Sequence, residues 1–156
     1  MNISDIAAWC GISFSNASST PLYHAHHLFL NGEEMKDLTI PNSVTSIGPE
    51  AFNHCSRLTS VTIGNSVKAI SDCAFAWCSS LTSIISKIEN PCNIPNDCFS
   101  QDVYFNSTQY VPQDTTENYK ETAYWNKFLF IEKSAPSGIG VAIVKIGDKV
   151  VKVLMK

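Results

Sequence analysis

From Leu38 onward, apolar residues return at fixed intervals and are separated mostly by Ser, Thr and Asn. Two consecutive windows make the interval explicit. Residues 38–60 read LTIPNSVTSIGPEAFNHCSRLTS and residues 61–83 read VTIGNSVKAISDCAFAWCSSLTS, with thirteen of 23 positions identical. Ile40 matches Ile63, Val44 matches Val67, Ile47 matches Ile70, Phe52 matches Phe75, Cys55 matches Cys78 and Leu58 matches Leu81. Each window reads as a series of pieces. Leu-Thr-Ser-Val-Thr-Ile has the alternation of a short strand, with Val61 and Ile63 on one side. Asn-Ser supplies a turn whose side chains bond nearby backbone. Val-x-x-Ile returns along a second side. Glu50–Cys55 predicts one or two helical turns before the next strand.

The pattern continues beyond these two windows. A looser copy carries one inserted residue, so that Ile94-Pro-Asn-Asp-Cys-Phe99 parallels Ile70-Ser-Asp-Cys-Ala-Phe75. At the other end, ISDIAAWC (residues 3–10) repeats ISDCAFAWC (70–78) with one residue trimmed, and reads as an N-terminal closing copy. Leu28–Leu30 with Asn31-Gly32 predicts a β-hairpin on a tight turn, placed to shield the open edge of the array. After the repeats, Asp114 and Glu117 have the spacing of a helix N-terminal box, which predicts a helix from about Thr115 to Trp125. Tyr119, Trp125, Phe128 and Ile131 are then placed to plug the far end of the core.

A period of 20–29 residues marks a leucine-rich solenoid. The spacings Leu58-x-x-Val61-x-Ile63 and Leu81-x-x-Ile84-x-Ser86 agree. One such copy buries too little apolar surface to offset the entropy of ordering its backbone, so copies must stack. The expected fold is an α/β repeat: a short right-handed solenoid of strands, turns and short helical turns, with a capping hairpin and a capping helix. Residues 1–131 form the capped array. Its N-terminal cap is 1–37, its clear repeats are 38–60 and 61–83, its looser repeat is 84–111, and its C-terminal cap is 112–131. Ser134–Gly138 has linker composition, which sets the linker at 132–138. Residues 139–156 form a second element, two β-branched runs around Gly147-Asp148 that read as a C-terminal β-hairpin. Two strands alone are marginal in water, so this hairpin is expected to dock elsewhere.

Composition narrows the chemistry. Charged residues are 16% of the 156, and the formal charge is -3. Neither suits a nucleic-acid binder, which carries a basic face. No apolar run reaches the ~20 residues of a membrane span. The N-terminus has neither a basic residue nor an apolar core, so no signal peptide is read there. The chain is then either cytosolic or a fragment of a longer exported protein. The six cysteines include no Cys-x-x-Cys pair, so no structural zinc site is expected. Cys55 and Cys78 read as stacked buried thiols with their S–H groups facing backbone carbonyls. Whether Cys73, Cys92 or Cys98 pair is left open. His24 and His26 would share a face of a strand, but spacing supplies no further ligand. A surface or packing role is expected, with no metal and no cofactor.

The segments LTIPNSVTSIGPEAF and LTSVTIGNSVKAISDCAF resemble repeats of the BspA-type leucine-rich-repeat surface proteins of anaerobic gut and oral bacteria. YVPQDTTENYKETAYWNKF is similar to the segment that closes such arrays. The resemblance implies extracellular or cell-surface display, adhesion, and binding to a protein or glycan on a host or neighbouring cell; it brings no catalytic residues. The tail SGIGVAIVKIGDKVVKVLMK resembles the end of an outer-membrane sorting domain. A non-enzymatic recognition module is therefore expected, with a strand-face stripe of Thr39, Ser60, Thr62, Ser83 and Ile85 as its binding surface. A structural spacer within a larger surface protein is the alternative. A thiol enzyme would pair Cys55 with the adjacent His54. The repeat already accounts for Cys55, however, and His54 aligns with Trp77.

Overall fold

The structure, a computed structural model, describes residues 1–134, 140–146 and 149–155. Short elements follow one another. They begin with β1 (Asn2–Ile3), α1 (Ile6–Cys10), α2 (Leu22–Ala25), β2 (Phe29–Leu30), β3 (Glu33–Glu34), β4 (Asp37–Thr39) and β5 (Ser46–Ile47). The repeats and their closure then give β6 (Ser60–Ile63), β7 (Ala69–Ile70), β8 (Ser83–Ser86), α3 (Gln101–Asn106), β9 (Thr108–Val111), α4 (Thr116–Glu121) and β10 (Phe130–Lys133). Last come β11 (Gly140–Ile146) and β12 (Lys149–Met155), an antiparallel pair. The turn read at Gly147-Asp148 and most of the segment read as a linker lie outside the described residues.

The fold is an α/β repeat built on parallel pairing. One sheet has the order β10-β9-β8-β6-β4, every neighbour parallel. Ser60 lies beside Ser83, and Val61 beside Ile84, at the 23-residue offset. A second, two-stranded parallel sheet joins β5 to β7 at the same offset, Ile47 beside Ile70. Between the sheets runs one apolar core, from Ile6 and Trp9 to Tyr119, Trp125 and Phe128. At its centre Phe52, Phe75 and Phe99 stack with centroids 5.3 Å apart at each step and planes 9° from parallel. Cys78 is fully buried, and its thiol donates to the Phe52 carbonyl at 3.2 Å.

The segments read as helical turns differ from expectation. Residues 50–55 and their copy at 73–78 are not helix. Glu50 and His54 have φ of 62° and 64°, and Cys73 and Trp77 have 53° and 59°. Backbone bonding gives the reason. Alternate N–H groups of the first copy reach the next coil: Glu50 donates to Asp72, Phe52 to Ala74 and His54 to Ala76. The N–H groups between them, of Ala51, Asn53 and Cys55, close turns three residues back. Donors committed across coils cannot make the i to i−4 bonds of a helix. Of the copies that follow, the third, whose strand-to-strand step from Ser83 to Thr108 is 25 residues, does form a helix, α3.

The ends also differ in detail. The N-terminal strand β1 adds to the β2–β3 hairpin, in parallel with β2. Asn31 and Gly32, with φ of 52° and 89°, make the expected tight turn. Cys10 packs under the first full copy, where its carbonyl accepts from the N–H of Gly48 at 2.8 Å. Gly48 is required there, because a Cβ would collide with the Ile12 carbonyl oxygen. At the C-terminus the expected single helix is two pieces, α4 and a 3-10 turn at Trp125–Lys127, parted by Tyr124 at φ 66°. The Asp114 box does not form. Asp114 sits at φ 62° beside Lys133, and the α4 N-cap Thr115 makes no side-chain cap. Glu132 and Lys133, read as the start of a linker, belong to β10, which extends the ladder by a fifth strand.

One column of the ladder carries a conflict. Leu38, Val61, Ile84 and Ile131 share it with Gln109, which is fully buried, and neither end of the Gln109 amide has a hydrogen-bond partner. A buried polar group left unpaired costs about 1–3 kcal/mol. Gln109→Leu should therefore raise the urea midpoint by an amount equivalent to about 1 kcal/mol or more. Phe75→Ala, which empties the middle of the ring stack, should lower stability by about 3–5 kcal/mol in the same titration.

Candidate binding surfaces

The strand ladder exposes alternate residues. Because parallel register places like positions side by side, the exposed residues form two rows. One is Thr39, Thr62, Ile85, Tyr110 and Glu132; the other is Asp37, Ser60, Ser83, Thr108 and Phe130. All five residues of the expected stripe thus share one face: Thr39, Thr62 and Ile85 in the first row, Ser60 and Ser83 in the second. Burial alternates along the strands, with Ser60 and Thr62 half-buried between fully buried Val61 and Ile63. The Ser60 hydroxyl donates to Asp37 Oδ1 at 2.6 Å, which fixes the acidic end of the face. The far end presents large apolar residues beside Glu132, with Phe130 54% and Leu129 64% exposed.

Sequence reasoning stopped the stripe at Ile85. Thr108 and Tyr110 extend it, since Tyr110-Val111-Pro112 parallels Thr39-Ile40-Pro41 in sequence. Phe130 carried no such signal, because β10 (FIEK) lacks the Ser or Thr that opens β6, β8 and β9.

A second surface lies on the turn side. The left-handed residues His54 and Trp77 turn their rings outward and stack, with centroids 5.8 Å apart. Tyr23 meets the His54 ring at 4.9 Å and His26 approaches it at 5.9 Å. Partial burial, and then the neighbouring His26, hold His54 below the usual histidine range. His24 and His26 are not on a strand. His24 lies in α2 and His26 caps it with φ 55°. Among the described residues no group of three His, Cys, Asp or Glu is placed to hold a metal.

The Cys55–His54 pair is separated by the same backbone. Cys55 is buried in the core, and burial pushes its thiol up to about 12. The His54 ring faces the other way, with Nδ1 2.6 Å from Asn53 Oδ1. Nucleophilic catalysis needs a thiolate within reach of a base; this arrangement supplies neither. All six cysteines are free. Cys73 is the one whose thiol meets a carboxylate, donating to Asp97 Oδ2 at 3.3 Å.

Parallel strand ladders at a 23-residue offset, one continuous core and an exposed strand face define a repeat protein of leucine-rich type. Residues 25–135 match the family described as BspA type Leucine rich repeat region, in six copies, and the chain belongs to that family. The family is generally a non-enzymatic protein-interaction module and is typically surface-associated. Neither the curated proteins nor the solved structures contain a match to the chain. No helix among the described residues is long and apolar enough to cross a membrane.

Native-state thiol labelling at pH 8 should leave Cys55, Cys78 and Cys98 unmodified over the time in which denatured chain reacts fully. Mass spectrometry of the labelled peptides reads this directly, and rapid modification of Cys55 would revive the thiol-enzyme reading.

Proposed function

We propose that the chain is a non-enzymatic recognition module displayed outside the cell, a right-handed solenoid whose strand face binds a protein partner. The observation that carries this reading is the five-strand exposed face. Its two rows run from Asp37 and Thr39 at one end to the exposed Phe130 at the other, in a family of interaction repeats. Small hydroxyl side chains give a flat centre, while Ile85, Tyr110 and Phe130 supply the larger contact area typical of binding centres. Rigid backing favours the role, because the face is held by a packed core and loses little entropy on binding. Surface display is supported by the family and by the resemblance of the tail to a sorting domain.

One observation favours the spacer reading. Among the described residues β10 pairs with β9 alone and stands at the edge of its sheet, where a further parallel coil is able to join. In that case the face would have no ligand of its own.

The two readings part in a binding assay. The purified chain is passed over immobilised extracellular-matrix glycoproteins at physiological salt. A recognition module should bind at least one, and the double substitution Thr62→Arg with Ile85→Arg should weaken that binding tenfold or more while the melting temperature stays within a few degrees. Binding that ignores the double substitution, or no binding across the panel, would favour the spacer.

A further inference from the structure

The longest coil carries a groove that the strand face does not use. It lies on the turn side near the C-terminal end, with a volume of about 600 Å³. Its rim holds Asn96, Asp97, Gln101, Phe105 and Lys127, and Tyr104 lies beneath with Phe99. Pockets of about 300–1,000 Å³ with an apolar base and a few fixed polar groups are the usual form of small-ligand sites.

The polar groups are held in place. Lys127 Nζ sits 4.8 Å from the centre of the Tyr124 ring and 5.4 Å from that of Tyr104, and it donates to Asn96 Oδ1. It is in no ion pair among the described residues. Asp97 is anchored by the Cys73 thiol. The Tyr104 hydroxyl is buried under the groove without a hydrogen-bond partner. Phe105, by contrast, presents its ring to solvent at 44% exposure. The aromatic surface continues along the array. Trp77, 65% exposed, stacks its ring on His54, and its backbone N–H donates to the Ser100 hydroxyl at 2.7 Å, one residue from Gln101 of the groove.

These features fit one ligand chemistry. An aromatic ring accepts the C–H face of a pyranose, while carboxylate and amide groups pair with adjacent hydroxyls as both donors and acceptors. The rim charges, one Asp and one Lys, offset each other, which matches an uncharged ligand rather than a polyanion. We propose that this groove binds a neutral oligosaccharide, with Phe105 under a sugar ring, Asn96, Asp97, Gln101 and Lys127 on its hydroxyls, and Trp77 against the next unit. The site is separate from the strand face and does not depend on it.

Tryptophan emission gives a direct readout. Trp9 and Trp125 are buried, so a ligand reaching the turn side changes the surroundings of Trp77. The full chain is titrated with tetrasaccharides of glucose, mannose, galactose and N-acetylglucosamine, with a hyaluronan tetrasaccharide as the acidic comparison. Calorimetry runs in parallel. At least one neutral tetrasaccharide should bind and shift the emission. Phe105→Ala and Lys127→Gln should each weaken binding at least tenfold, and Trp77→Phe should abolish the shift. Gln101→Ala, on the exposed rim, serves as a further variant if Phe105→Ala melts early. The strand-face double substitution should leave saccharide affinity unchanged, so this proposal and the protein-binding reading fail separately. No binding by any neutral sugar, preference for hyaluronan, or affinity insensitive to the groove substitutions would overturn it.

Discussion

Hydrogen bonding from one coil to the next is the constraint on which the structure rests. A stacked coil has little backbone in water, so its N–H and C=O groups must be satisfied by neighbours. Here they are satisfied on two sides at once. The strand sheet pairs Ser60–Ile63 with Ser83–Ser86, and the turn side sends the Phe52 N–H to Ala74 and the Phe75 N–H to Cys98. Both registers hold only if consecutive coils have nearly the same length. The 23-residue period is the sequence form of that requirement. Columns of like residues follow from it, since stacking Phe on Phe and Cys on Cys fills each layer as the layer below is filled.

A ladder of this kind has ends, and the aromatic caps resolve them in one way. Trp9 Nε1 donates to the Ala51 carbonyl at 2.7 Å, Trp125 Nε1 to the Cys92 carbonyl at 2.8 Å, and the Tyr119 hydroxyl to the Ile88 carbonyl at 2.7 Å. Each supplies a large apolar body to cover the core and one donor for a carbonyl that has no further coil to serve it. The placement of Tyr119, Trp125 and Phe128 was legible because apolar aromatics cannot stay exposed in such numbers after the repeats stop. Their hydrogen bonds were not legible, since these depend on where the chain folds back.

Periodicity made the strands, the core columns and the strand face readable. It failed where identical letters meet different backbone. Trp9 and Trp77 occupy matching positions in ISDIAAWC and ISDCAFAWC, yet Trp9 is 5% exposed and Trp77 65%. Trp9 lies in a true helix capped by Asp5, whereas Trp77 has a left-handed backbone because Ala76 and its neighbours are engaged with adjacent coils. The single capping helix failed for a related reason. Asp114 and Glu117 have the right spacing, but residue 114 is drawn into a left-handed turn beside Lys133 of β10, and local propensity yields to the last ladder strand. β10 itself was missed because its partner supplies the register that its own sequence does not display.

The same constraint determines where chemistry is able to reside. Within the two 23-residue copies the backbone donors are committed either to a neighbouring coil or to a turn of their own coil, and the inward side chains to the core, which leaves only outward side chains free to vary. A longer coil is different. The two extra residues between Ser83 and Thr108 lie outside the ladder, one before Phe99, which pairs with Phe75 24 residues earlier, and one between Phe99 and Thr108 on the turn side. There the chain forms α3 in place of the left-handed turns of its predecessors and spreads Asn96, Asp97, Gln101 and Phe105 around a hollow that the regular coils lack. The regular copies build a scaffold and a flat face, and the break in the period builds the concave surface. In an array of this kind the departures from the repeat are therefore the first places to look for a ligand site, and the repeat itself identifies them.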